Sequence, residues 1–149
     1  MGFSMELVKA RRRILELEAK LAVIPQAGTI DIHLASSIIL DKLDEMGDSE
    51  ADLYLADTDC KIYNKEDVKT FLELDEVSEI PFVAKTMDCD DYAATMFGKF
   101  AGLVWTDKHA LNWFIDETDT FWFIEPQTDK LSTTLEDWQG WDIRFFIGR

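Results

Sequence analysis

Cysteine and histidine are scarce in this chain, two of each among 149 residues, and there are only three prolines. Two cysteines cannot build a disulfide framework. Charges begin at Glu6, with no apolar stretch leading to a small-residue cleavage site, so no secretion signal is expected. Cys60 and Cys89 are therefore expected as free thiols in a reducing, cytoplasmic setting. No apolar run approaches the roughly 20 residues that span a bilayer. Gly-rich phosphate loops, GxSxG and HExxH are absent, as are the CxxC and HxxxH pairs of zinc sites. Positive charge is also sparse, 15 basic side chains against 30 acidic ones for a net charge of −15. Such a chain repels phosphate backbones and anionic lipid, so no nucleic acid and no membrane partner is expected, while cations are attracted.

What remains is apolar and aromatic, 47% and 12% of residues, ample for a packed core. The charge is uneven. Residues 1–22 carry five basic and three acidic side chains, and the rest carries ten basic and 27 acidic. Leu7, Ala10, Ile14, Leu17, Leu21 and Ile24 recur at alternating spacings of three and four, an a/d heptad seam, and Pro25 ends it. Residues 1–24 thus read as a helical arm. It either lies on its own domain or joins copies into a homo-oligomer. Residues 25–149 read as one α+β domain.

Within that domain, Thr29 or Asp31 caps a helix reaching Met46, with Ile32, Ala35, Ile39, Leu43 and Met46 on its apolar face. His33 falls off that face and reads as structural. Leu53-Tyr54-Leu55-Ala56 is a short strand, and Asn64 caps a helix that buries Val68, Phe71 and Leu72. Asp88 caps a central helix from Cys89 to Phe100 that bears a stripe of Tyr92, Ala93, Met96, Phe97 and Phe100. Behind it come four short strands rich in aromatic and β-branched residues, 103–105, 110–115, 121–124 and 143–147, forming an antiparallel sheet. Residues 116–120 make a hairpin loop. The tryptophans are expected mainly in the core and Cys60 as a small buried residue.

The chemistry concentrates at Cys89. A thiol at a helix start meets unpaired N–H groups and the positive end of the helix dipole, which favour a thiolate. Asp88, Asp90 and Asp91 oppose it. Either they point away, or basic residues neutralise them, or a cation sits on Asp90 and Asp91, and hard oxygen ligands suit calcium. A thiolate also needs a base, and His109 opens the first hairpin strand. A loop at 116–120 sets position 115 opposite 121 and His109 near Gln127. A shifted register brings Glu125, so either residue is a candidate for orienting the imidazole.

The strings Asp57-Thr58, Asp88-Cys89-Asp90-Asp91-Tyr92-Ala93, His109-Ala110-x-Asn112 and Glu125-Pro126-Gln127-Thr128 together resemble small papain-like cysteine peptidase domains. The C-terminal domain of the Marasmius oreades agglutinin typifies them, and similar unattached domains occur in phage, bacteria and archaea. The likeness spans about residues 53–128. It implies a papain-like fold and a cysteine hydrolase of peptide or isopeptide bonds, acting on a protein or peptide substrate. Cys89 would be the nucleophile, His109 the base and Glu125 the third member, with Gln127 as runner-up. Asp90 and Asp91 would be calcium ligands. The amide such enzymes place before the cysteine is missing, Gln26 and Asn64 being the nearest candidates, and Lys108 replaces a glycine. The alternative is a non-catalytic viral or prophage module, virion-associated, that keeps the fold.

Overall fold

The computed structural model describes residues 5–22, 26–47, 50–75, 77–83 and 87–149. Helix α1 (Met5–Ala22) is followed by strand β1 (Gln26–Asp31) and helix α2 (Ile32–Met46). Strands β2 (Asp52–Leu55) and β3 (Asp59–Tyr63) lead to α3 (Lys65–Leu74), a 3₁₀ turn at Val77–Glu79 and α4 (Cys89–Lys99). Strands β4 (Gly102–Thr106), β5 (Ala110–Ile115), β6 (Phe121–Glu125), β7 (Lys130–Ser132) and β8 (Ile143–Gly148) complete the chain, with a 3₁₀ turn at Asp137–Gln139 before β8. The architecture is α+β.

Six strands form one sheet in the order β2-β8-β4-β5-β6-β7, and β1 and β3 make a separate two-stranded sheet. The expected antiparallel sheet is present with one exception, because β2 runs parallel to β8. Residues 26–31, of which the sequence marked only Thr29 or Asp31 as a cap, form a strand that pairs with β3. Asp31 still caps α2, its carboxylate accepting from the His33 N–H at 2.8 Å. Strands β3 and β7 went unrecognised, being five and three residues long. Of the arm, α1 is helical as its heptads require, while Ile24 and Pro25 lie outside the described residues.

Strand β5 is buried along its whole length, and this explains why its sequence does not alternate. Leu111, Trp113 and Ile115 join α2 and Phe146 in one core. Phe114 joins Tyr92, Met96 and Phe100 of the α4 region in the other. Gly102 is required beside the Trp113 indole, since a Cβ there would lie 2.3 Å from the ring. Trp113 is therefore core, as expected. Trp105, Trp138 and Trp141 are not, with exposures of 39%, 50% and 56%.

The fully buried Asn112 ties the sheet to the helix. Its Nδ2 donates to the Ala93 carbonyl of α4 and to the Gly102 carbonyl of β4, both at 2.9 Å. Only Phe100 and Ala101 separate α4 from β4, and β4 starts opposite Trp113. The carboxyl end of α4 therefore sits at the Trp113 end of β5. Replacing Asn112 with Leu should lower stability by about 1–3 kcal/mol, because two buried carbonyls lose a donor. Urea unfolding with near-ultraviolet circular dichroism measures this, and a variant as stable as the parent would show that this tie contributes nothing.

Candidate functional site

His109 is held by the tight turn that joins β4 to β5. The Thr106 N–H donates to the His109 carbonyl at 2.8 Å, and the His109 N–H donates back to Thr106 Oγ1 at 3.0 Å. The Thr106 hydroxyl in turn donates to the Gln139 carbonyl. This network orients a ring that is 94% buried, as its 6% exposure shows.

The ring nitrogen Nε2 lies 2.7 Å from Glu125 Oε2. The strand register matches the five-residue loop, with Ile115 opposite Phe121. His109 nevertheless reaches Glu125 and not Gln127, because the two side chains meet diagonally across the hairpin. Gln127 contributes only its backbone N–H, 3.4 Å from Glu125 Oε1. The amide in the site is Gln139, whose Nε2 donates to Glu125 Oε2 at 3.0 Å. Glu125 and Gln139 are both buried. The His109 ring also meets the Trp138 ring edge-on, with centroids 4.9 Å apart. A carboxylate only accepts, so Nε2 carries the proton and Nδ1 is the basic nitrogen. Nδ1 has no hydrogen bond among the described residues.

Thr106, Trp138 and Gln139 were not found from sequence. Gln139 stands 14 residues beyond Glu125 in a 3₁₀ turn, and nothing local marks it. Gln26 and Asn64, weighed as upstream amides, are engaged elsewhere. Gln26 donates to the Gly28 carbonyl, and Asn64 caps α3 by accepting from Glu66 and Asp67.

Cys89 is the first residue of α4, half-buried and free. It precedes Ala93, the residue Asn112 grips, by one helical turn, a rise of about 6 Å. His109 precedes Asn112 by three residues. One oxygen from each of Asp88, Asp90 and Asp91 falls in a group no wider than 4.8 Å. Asp91 Oδ2 accepts from the Asp88 N–H at 3.1 Å. Asp88 Oδ1 is buried with no hydrogen-bond partner.

No protein-family model and no curated protein matches this chain. Solved structures do. A structure of PSL1a in complex with E64 is 21% identical over 82% of this chain and 50% of that one, with a TM-score of 0.64. The Polyporus squamosus lectin bound to Neu5Acα2-6Galβ1-4GlcNAc is 19% identical over the same shares, with a TM-score of 0.60. At these identities the likeness is one of fold, and the chain spans about half the length of the structures it matches. These findings correct the reading from motifs. The expected papain-like cysteine peptidase, a hydrolase of peptide or isopeptide bonds, gives way to a fold shared with PSL1a and the Polyporus squamosus lectin.

The two thiols differ sharply. Burial pushes the Cys60 thiol up to about 11. The folded state therefore favours the neutral thiol, and this contribution to stability fades as pH climbs through the interval from 9.0 to about 11. At pH 8 only roughly a thousandth of Cys60 is thiolate. Iodoacetamide at pH 8 should label Cys89 and spare Cys60 by about a hundredfold or more, with both labelled in urea. Peptide mapping reads the ratio, and equal rates in the folded protein would refute this account of Cys60.

Proposed function

We propose that this chain is a ligand-binding domain whose site lies at the amino end of α4, where Cys89 holds an electrophilic ligand covalently. The observation that carries the reading is the buried His109–Glu125–Gln139 chain, which leaves Nδ1 as the available base. His109 Nδ1 takes the thiol proton, and Glu125 stabilises the imidazolium that results. The first-turn N–H groups of α4 favour the thiolate. With an epoxide such as E64, the sulfur forms a C–S bond while the ring C–O bond breaks. The alkoxide then recovers the proton from His109. Capture of this kind requires no turnover.

Asp88, Asp90 and Asp91 fit a calcium ion. They are hard oxygen donors on one helix turn, and the unpartnered Asp88 Oδ1 lacks the donor its burial calls for. Bound there, calcium would offset the three carboxylates that oppose a thiolate.

Intact-mass analysis after incubation with E64 tests the proposal. One adduct is expected, absent from Cys89→Ala, slowed about a hundredfold or more by His109→Ala, and faster with calcium than with chelator. Absence of any adduct on the folded parent chain would sink the reading.

A second reading, reversible carbohydrate binding, is favoured by an open hollow of about 340 Å³ lined by Trp105, Thr106, Asp107, Arg144 and Phe145. An exposed indole stacks on a sugar ring, and a guanidinium pairs with a sugar carboxylate. Calorimetry with Neu5Acα2-6Galβ1-4GlcNAc should give a Kd below about 1 mM that Trp105→Ala or Arg144→Ala abolishes. An unchanged Kd in both variants would remove this face from consideration.

A further inference from the structure

Helix α1 is amphipathic, yet residues 5–15 are all exposed. Its nearest companion among the helices is α3. Leu7 and Ile14, which occupy successive a positions of the heptads, remain 43% and 53% exposed. A seam of this regularity is a surface for another helix.

The flanking charges identify that helix. With Leu7, Ile14 and Leu21 at a, the g positions are Glu6, Arg13 and Lys20 and the e positions are Arg11 and Glu18. In a parallel pair, each g residue faces the e residue five positions later on the other strand. That sets Glu6 against Arg11 and Arg13 against Glu18. Both contacts are attractive, and symmetry repeats them. In an antiparallel pair with the same seam, Ala10 faces Leu21; Arg11 meets Glu18 on one flank, which is attractive, but Arg13 meets Lys20 on the other, which is repulsive. Of these two arrangements, the parallel one alone is free of a like-charge contact.

We infer that α1 joins two copies of this chain as a parallel, two-stranded coiled coil. The inference does not rest on the ligand chemistry of the α4 site, and its failure would leave that reading untouched. The seam covers about two and a half heptads, so association is reversible and depends on concentration. Added salt weakens it, because exposed charge pairs set its orientation.

The full chain carrying Cys89→Ser and Ala10→Cys tests orientation. Position 10 is a d site, so a parallel pair sets the two introduced thiols side by side. Mild oxidation is expected to give a disulfide-linked dimer, and failure to cross-link while the chain is dimeric would overturn the parallel arrangement. Sedimentation equilibrium tests the charge pattern. Arg13→Glu should raise the dimer Kd about tenfold, and adding Glu18→Arg should restore it. Circular dichroism checks that each variant is folded. A folded parent chain that stays monomeric up to about 500 μM, well above typical weak-dimer Kd values, would overturn the inference, as would a dimer that neither charge change affects.

Discussion

The bridge made by the Asn112 amide is the contact on which the candidate site depends. It joins a carbonyl in the turn after Cys89 to a carbonyl at the start of β4, and it stands three residues from His109. Two amide protons thereby fix a helix to two strands at a fully buried point. Apolar packing presses α4 onto the sheet but has no direction along it. A pair of hydrogen bonds does, and so sets how far the helix slides. The thiol and the imidazole come from different layers of the fold, one helical turn and three residues respectively from the two sides of this tie.

A second network holds the base itself. Thr106, Gln139 and Glu125 hold His109 from three segments: the turn before β5, the 3₁₀ turn before β8 and the end of β6. The neighbouring hairpin loop is fixed in the same way. Asp116 accepts from the Thr118 and Thr120 N–H groups, the Thr118 hydroxyl and the Trp122 indole. Burial raises the Asp116 pKa, but these four donors outweigh it and hold the carboxyl below its ordinary value. The β5–β6 register that brings Glu125 to His109 therefore starts from a charged, fully satisfied loop.

The local signals in the sequence were sound where one segment decides its own structure. Asn64 and Asp31 cap the helices they were expected to cap, and Ala35, Ile39 and Leu43 face inward as their spacing requires. The five-residue loop gave the correct register for β5 and β6. The partner of His109 was legible only as a choice between Glu125 and Gln127, because side-chain reach across a twisted hairpin is not a matter of register. Gln139 was invisible, since its role comes from a turn that folds back from the far side of β7. The short strands β3 and β7 also owe their form to the strands beside them, not to their own residues. The motifs pointed to a peptidase domain, whereas the solved structures reported above are those of PSL1a and the Polyporus squamosus lectin. A motif reports kinship of fold more surely than occupation.

The five tryptophans are divided in a way that has a spectroscopic consequence. Trp113 is sealed between Gly102, Gly148 and the stacked ring of Phe121, so its emission belongs to the folded core. Trp138 is half exposed and lies edge-on against the His109 imidazole. A protonated imidazole quenches a neighbouring indole, whereas a neutral one does so far less. With the exposed Trp105 and Trp141 replaced, the indole of Trp138 would report on the surroundings of the His109 ring, apart from the buried Trp113 that records folding.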